Sequence, residues 1–130
     1  MLDDTDISRL CQGRIIRAPF YASSGDRAAG PHYAVILDAD DDVKKHDSYY
    51  VAVISHNDEI DSTFLLKVPA YTGLTGFVVC SWTEIAHLAG VTEIGGKILM
   101  PDMMKILAMV HDASRAAGQK KRASRPGDGA

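Results

Sequence analysis

The sequence has no long apolar run, few cysteines and no export signal. None of its apolar stretches approaches the roughly 18 residues of a membrane-spanning helix, so no membrane association is expected. Residues 1–4, Met-Leu-Asp-Asp, are acidic where a secretory leader would be basic. Cys11 and Cys80 are the only cysteines and belong to no metal-binding or redox motif, which favours two buried thiols in a reducing compartment. These absences predict a cytoplasmic protein.

Familiar catalytic and ligand-binding motifs are absent as well. The five histidines, at positions 32, 46, 56, 87 and 111, form neither HxH nor HxxxH. The acidic run at residues 38–42 matches the start of a calcium-binding loop, but Val43 and Tyr49 stand where that loop requires glycine and glutamate. The sequence also lacks GxSxG, a phosphate-binding glycine loop and a nucleotide fingerprint. We therefore predict no metal site and no cofactor.

The composition is that of one ordinary globular domain with an uneven charge. Of the 130 residues, 46% are apolar and 24% are charged. Residues 115–130 hold five Lys or Arg against Asp128 and so carry +4, which leaves −7 for the rest because the net charge is −3. An acidic body does not attract polyanions on average, so any nucleic-acid site must be a local basic patch.

Short β-type segments recur along the chain and predict a mainly β domain. Alternating or β-branched and aromatic residues mark the candidate strands, at residues 14–20, 33–37, 49–54, 63–68, 77–80 and 95–99. Ser81-Trp82-Thr83-Glu84 fits a capping box, which predicts a helical turn through Leu88. An amphipathic helix is predicted from Pro101 to Gly118. Five or six short strands with one terminal helix are typical of a small barrel or strongly coiled sheet.

The same patterns predict the domain boundaries. Residues 1–12 form an N-terminal cap segment with a short capped helix, and residues 13–118 form the barrel domain. Residues 119–130 form a basic tail without large apolar side chains, and we predict that this tail is disordered.

Polar residues suited to phosphate chemistry stand at the ends of predicted strands. His32 opens the second strand, and Ser55 and His56 close the third. If these strands are antiparallel neighbours, their polar ends meet at one edge of the sheet. Arg17, near the end of the first strand, and Arg27, in the following loop, are within reach of that edge. Imidazole suits proton transfer and guanidinium suits developing negative charge, while solvated strand ends remain the simpler alternative.

The order of segments over about residues 12–112 resembles the PemK/MazF family of toxin ribonucleases. In that family a glycine opens the first strand, as Gly13 does here. An Arg-Pro-Ala-Val-Val-Leu type segment corresponds to residues 32–37, His-Tyr-Ala-Val-Ile-Leu, and a strand ending in Ile-Thr-Ser corresponds to residues 53–56, Val-Ile-Ser-His. The remaining matches are a Gly-Leu turn, a strand running into serine, and a Gly-Lys segment before a helix, at Gly73-Leu74, Cys80-Ser81 and residues 94–98 followed by 103–110.

The resemblance implies a fold, an activity and partners. It implies an SH3-like β-barrel, a homodimer, and metal-independent cleavage of single-stranded RNA, with an antitoxin protein as partner. In such cleavage the RNA 2′-OH attacks the neighbouring phosphate, and the protein supplies proton transfer and charge stabilisation. The resemblance makes His32, Ser55 and Arg27 the candidate catalytic residues, and Arg17 and His56 the candidate substrate-binding residues.

Two departures from the family pattern leave other functions open. The family's arginine and proline at the start of the second strand are His32 and Tyr33 here. Histidine transfers protons near neutral pH but cannot grip phosphate with a bidentate fork, a gap that Arg27 would fill from the loop. The alternative is a catalytically inactive barrel of the same fold that binds a protein or nucleic acid. A small enzyme of another chemistry is the third possibility.

Overall fold

The computed structural model describes residues 2–20, 31–56 and 62–123, with side chains as far as Gly118. Its strands are β1 (Arg14–Pro19), β2 (Pro31–Ile36), β3 (Ser48–Ser55), β4 (Leu65–Lys67), β5 (Phe77–His87) and β6 (Glu93–Lys97). Its helices are α1 (Asp4–Ser8), α2 (Asp40–Lys45) and α3 (Asp102–Ala123), with short 3-10 turns at Ser62–Phe64, Ala70–Thr72 and Leu88–Gly90. In the described part of the chain, no helix is long and apolar enough to cross a membrane.

The strands form one antiparallel sheet in the order β4-β5-β3-β2-β1-β6, which curls into a half-barrel. Ile16 of β1 lies opposite Ala34 of β2, and Ala34 lies opposite Val53 of β3. Because paired residues share a face, these three side chains point to the same side of the sheet. The predicted mainly β class with an SH3-like barrel and a C-terminal helix is confirmed.

Alternation along the strands gives the sheet two apolar faces with separate cores. The inner face carries Ile16, Ala34 and Val53 and is covered by the N-terminal segment and α2. The helix face carries Ile15 and Val35 and is covered by α3. A β-strand that is buried on both faces has a nearly continuous apolar sequence, and for this reason residues 33–37 predict a central strand.

The capping-box prediction at residues 81–84 is wrong, because this segment lies in the middle of a continuous strand. β5 pairs with β3 along the whole length of β3, from Ser48 opposite His87 to Ser55 opposite Phe77. Trp82 packs against the inner face, and its Nε1 donates to Glu84 Oε1 at 3.0 Å. The Glu84 carboxylate therefore serves a neighbouring indole rather than a helix N-terminus. Strand pairing and the burial of Trp82 outweigh the local capping preference.

The helices also differ from the predictions at two points. The acidic connector after β2 contains α2, whose aspartates in the first turn and lysines in the last turn both favour the helix dipole. The predicted helix end at Gly118 is wrong, since α3 continues to Ala123. A glycine inside a helix costs only about 1 kcal/mol and does not by itself stop it. Residues 119–123 of the predicted disordered tail therefore belong to α3, and residues 124–130 lie outside the described residues.

The start of β1 depends on Gly13, and replacing this glycine should destabilise the fold. Gly13 has φ of 88°, its N–H donates to Ile36 O, and its carbonyl accepts from Ile98 N, each at 2.8 Å. A Cβ at this position would lie 2.5 Å from Ile98 O. We expect Gly13→Ala to lower the free energy of unfolding by about 1–3 kcal/mol, measured by chemical denaturation.

Gly118→Ala is the matched control, because nothing lies within 4 Å of a Cβ placed there and the residue is inside α3. This variant should raise the free energy of unfolding by about 0.5–1 kcal/mol. Equal stability of Gly13→Ala and the parent would contradict the assigned backbone conformation.

Candidate functional site

The ends of β2 and β3 meet at one edge of the sheet, as the sequence predicts. The last residue pair of the β2–β3 ladder toward that edge is Ala34 with Val53. Two residues further along each strand stand His32 and Ser55, so both fall on the inner face at the same level of the sheet. From the other side, Ala18 of β1 pairs with His32. An imidazole and a hydroxyl are thereby brought to one edge.

His32 is packed as an apolar ring although it is titratable. Its ring meets Trp82 edge to face, with centroids 5.3 Å apart and planes at 69°. Its Nε2 is buried and finds no hydrogen-bond partner within the described ranges. Burial lowers the pKa of His32 from the ordinary value of 6.5, so the ring is neutral at neutral pH. A neutral imidazole with an unengaged nitrogen is the state that accepts a proton.

Ser55 and His56 occupy the end of β3 against the turn that precedes β5. Ser55 is buried. Gly76 has φ of 102°, and a Cβ there would lie 2.8 Å from Ser55 O and 3.1 Å from the His56 ring. His56 is exposed, and its Nε2 lies 2.9 Å from Thr75 Oγ1. His56 therefore packs over the turn at the same end of β3 as Ser55.

Arg17 does not join this edge, because it lies on the other face of the sheet. Arg17 pairs with Tyr33 in register, whereas the next residue, Ala18, pairs with His32 on the inner face. Arg17 Nη1 lies 3.3 Å from Glu93 Oε2, and the guanidinium lies 5.5 Å from the centre of the Tyr33 ring. The Tyr33 hydroxyl donates to the same Glu93 oxygen at 3.1 Å. Arg17 therefore stands at the same strand end as His32 but on the opposite face, which corrects the expectation that it joins His32 and Ser55 at that edge.

The remaining predicted residue and two unpredicted ones complete the description of the site. Arg27 lies outside the described residues. Trp82 contacts His32, and Glu84 accepts from Trp82, yet neither residue is predicted at the site from the sequence. The available signal was strand alternation, which places Trp82, Glu84 and the buried Ala86 on one face, but the capping-box match concealed it.

No metal-ligand cluster is found in the described part of the chain. No three His, Cys, Asp or Glu side chains there are grouped in a way that could hold a metal ion. Cys80 is buried beneath α3, and this burial raises the pKa of its thiol to about 12. Because the thiolate is the reactive form, Cys80 is an inert core residue.

Comparison with known proteins finds similarity in the fold but not in the sequence. No family model and no curated protein matches the chain. A MazE-MazF structure from Deinococcus radiodurans superposes with a TM-score of 0.66 at 11% identity, over 82% of this chain and 96% of the other. An endoribonuclease with its cognate antitoxin from a Mycobacterial species gives 0.64 at 14% identity, over 82% and 93%. The chain has the MazF fold.

A third solved structure, the Mycobacterium tuberculosis toxin MazF-mt6, agrees with the first two. It superposes with a TM-score of 0.60 at 17% identity, over 78% of this chain and 96% of that one. Nearly the whole MazF fold is therefore present here. The resemblance of fold inferred from the segment order is confirmed. With identities this low, the roles of individual side chains must be argued from this chain's own geometry.

The half-buried position of His32 predicts a measurable titration. Its pKa is lowered by burial, so the imidazole should take up its proton only below pH 6.5, as followed by its NMR resonances. Because the folded pKa lies below the unfolded one, the unfolded state binds more protons between the two values. The free energy of unfolding should therefore fall as pH drops below about 6.5, and His32→Gln should remove this part of the slope. A His32 midpoint at or above 6.5 would contradict the assignment.

Proposed function

We propose that the protein is the endoribonuclease toxin of a toxin–antitoxin pair and cleaves single-stranded RNA without a metal ion. The observation that carries the proposal is the meeting of a neutral imidazole, His32, and the Ser55 hydroxyl at one edge of a MazF fold. One solved structure of this fold is described as an endoribonuclease with its cognate antitoxin. An antitoxin protein is accordingly the proposed regulatory partner, and the cytoplasm is the proposed site of action.

The proposed chemistry uses the nucleophile that RNA itself carries. The 2′-oxygen bonds to the adjacent phosphorus, the bond from phosphorus to the 5′-oxygen breaks, and a 2′,3′-cyclic phosphate remains. His32 accepts the 2′-OH proton on Nε2, and water protonates the departing 5′-oxygen. Ser55 donates a hydrogen bond to the phosphate, Arg27 neutralises its developing charge, and His56 binds the adjoining part of the substrate.

One observation supports the rival function, a catalytically inactive barrel that binds a protein or nucleic acid. His32 Nε2 is covered and the ring is held against Trp82, so a 2′-OH reaches this nitrogen only when the covering groups move aside. If the groups that cover Nε2 do not move, His32 only packs against Trp82, and the site at the ends of β2 and β3 binds a partner without cleaving it. Activity measurements separate the two functions.

Removal of His32 should abolish most of the cleavage. General acid–base assistance contributes about 100- to 10,000-fold, so His32→Ala should slow cleavage of a mixed single-stranded RNA pool by two decades or more. EDTA should leave the parent rate unchanged, and the 5′ fragment should end in a 2′,3′-cyclic phosphate. His46→Ala is the matched control, since His46 is exposed at the end of α2 and should be dispensable.

Two results would count against the enzyme. If the parent cuts no RNA at any salt concentration, the binding barrel takes its place. If His32→Ala cuts as fast as the parent while remaining folded, His32 is not the proton-transfer group.

We also propose that the protein is a homodimer. Leu99, Met100, Met104 and Tyr71 are 53%, 54%, 61% and 53% exposed. They lie together at the start of α3, where the Tyr71 hydroxyl accepts from Leu99 N at 3.0 Å and donates to Asp102 Oδ2 at 2.8 Å. An apolar patch of this kind is buried most simply by a two-fold copy of itself.

Light scattering tests the assembly. The parent should show about twice the 14.1 kDa mass of one chain at micromolar concentration, and Met100→Glu/Met104→Glu should show the mass of one chain. Ile85→Lys, at an equally exposed apolar position on β5, should remain dimeric. A single-chain mass for the parent would refute the dimer.

A further inference from the structure

Three cationic side chains lie close together beside the edge strand β6: Arg9, Arg14 and Lys97. They stand at the opposite end of β1 from Ala18, the residue that pairs with His32. Arg9 Nη2 and Arg14 Nη1 both donate to Gly95 O, at 3.4 and 3.3 Å. The two nitrogens are therefore no more than about 6.7 Å apart. Arg14 Nε also donates to Arg9 O at 2.8 Å, which fixes the guanidinium against the backbone. Lys97 lies directly opposite Arg14 in the β1–β6 pairing.

None of these three side chains forms an ion pair with a carboxylate among the residues that the structure describes. The ion pair found in the described residues joins Arg17 to Glu93, at the other end of the β1–β6 pairing from Arg14 and Lys97. At the start of α1, the N-cap Asp3 and Asp6 accept from each other's backbone N–H groups in a capping box. Asp40 accepts from Gln12 N.

Like charges placed opposite one another destabilise a strand pair, so the cluster costs stability unless an anion occupies it. Two guanidiniums retain most of their N–H donors, because carbonyl contacts use only one from Arg9 and two from Arg14. Guanidinium forks together with an ammonium match the oxygens of phosphate groups. Since the rest of the body is acidic, this is the kind of local basic patch that a polyanion requires.

We propose that Arg9, Arg14 and Lys97 form a phosphate-binding site that holds the backbone of the substrate RNA at a distance from the scissile bond. The inference rests on the proposed ribonuclease function. Arg14 precedes Ala18, the partner of His32, by four residues on β1, so the site lies about 13 Å along the strand from His32. An RNA long enough to cover both places gains affinity from the cluster, whereas a dinucleotide does not.

Binding of uncleavable RNA tests the site without requiring catalysis. The probe is a 2′-O-methyl RNA of about 12 nucleotides, within the site size of small nucleic-acid-binding barrels, followed by fluorescence anisotropy over a salt series. Arg9→Gln/Lys97→Gln removes two exposed charges and leaves the half-buried Arg14 in place. It should weaken binding about tenfold at low salt and lower the slope of log affinity against log salt by roughly 1–2. The same variant should lose as much affinity for single-stranded DNA, because the proposed site contacts phosphates only.

Lys44→Gln/Lys45→Gln is the matched control, since it removes the same charge from the exposed end of α2. The control should bind like the parent, and the Arg9/Lys97 variant should cleave a dinucleotide at the parent rate. Parent-like RNA affinity of the Arg9/Lys97 variant, or an equal loss in the control, would overturn the site while leaving the ribonuclease intact. Failure of the parent to bind any RNA would overturn both. Loss of binding to polyglutamate but not to RNA would reassign the cluster to an acidic protein partner.

Discussion

The pairing of β5 with β3 is the interaction on which the remainder of the molecule depends. It is continuous except at one bulge, where Ala52 and Val53 of β3 face Thr83 and Val79 of β5 and residues 80–82 have no direct partner. A bulge bends the strand and re-aims side chains. Here it lets one long strand bury Cys80 beneath α3 and turn Trp82 toward the inner face.

That single irregularity connects the fold to the site. Because Trp82 is turned inward, it meets the His32 ring at the end of β2, and Glu84 engages the indole nitrogen from the same strand. The indole that packs against His32 is therefore supplied by β5, a strand that is not adjacent to β2. Ser55 arrives at the same edge because β3 lies between them and pairs with both.

The parts of this arrangement that a sequence can predict are those with a local or periodic signal. The runs at residues 33–37 and 49–54 are apolar on both faces, and they are the two central strands. Their antiparallel pairing brings His32 and Ser55 together, as expected from which strand each one opens or closes. The strand conformation of residues 81–84 could not be predicted from the sequence. A capping box is a local pattern, whereas the competing strand pairing joins Thr83 and Glu84 to residues more than 30 positions earlier. Nearness to a strand end does not by itself place Arg17 beside His32, because alternation along β1 puts these two side chains on opposite faces of the sheet.

In the proposed mechanism, proton transfer and charge stabilisation come from different residues because of what can be buried at the inner face. An arginine is charged at every relevant pH, so at the position of His32, against Trp82, it would need a partner or water for its guanidinium. Histidine avoids this cost by remaining neutral, and burial reinforces that state. A neutral ring can take a proton but cannot balance the negative charge of a phosphate. In the proposed mechanism the positive charge at the scissile phosphate therefore comes from Arg27, whereas Arg9, Arg14 and Lys97 would hold the RNA backbone elsewhere, with both guanidiniums fixed by backbone carbonyls.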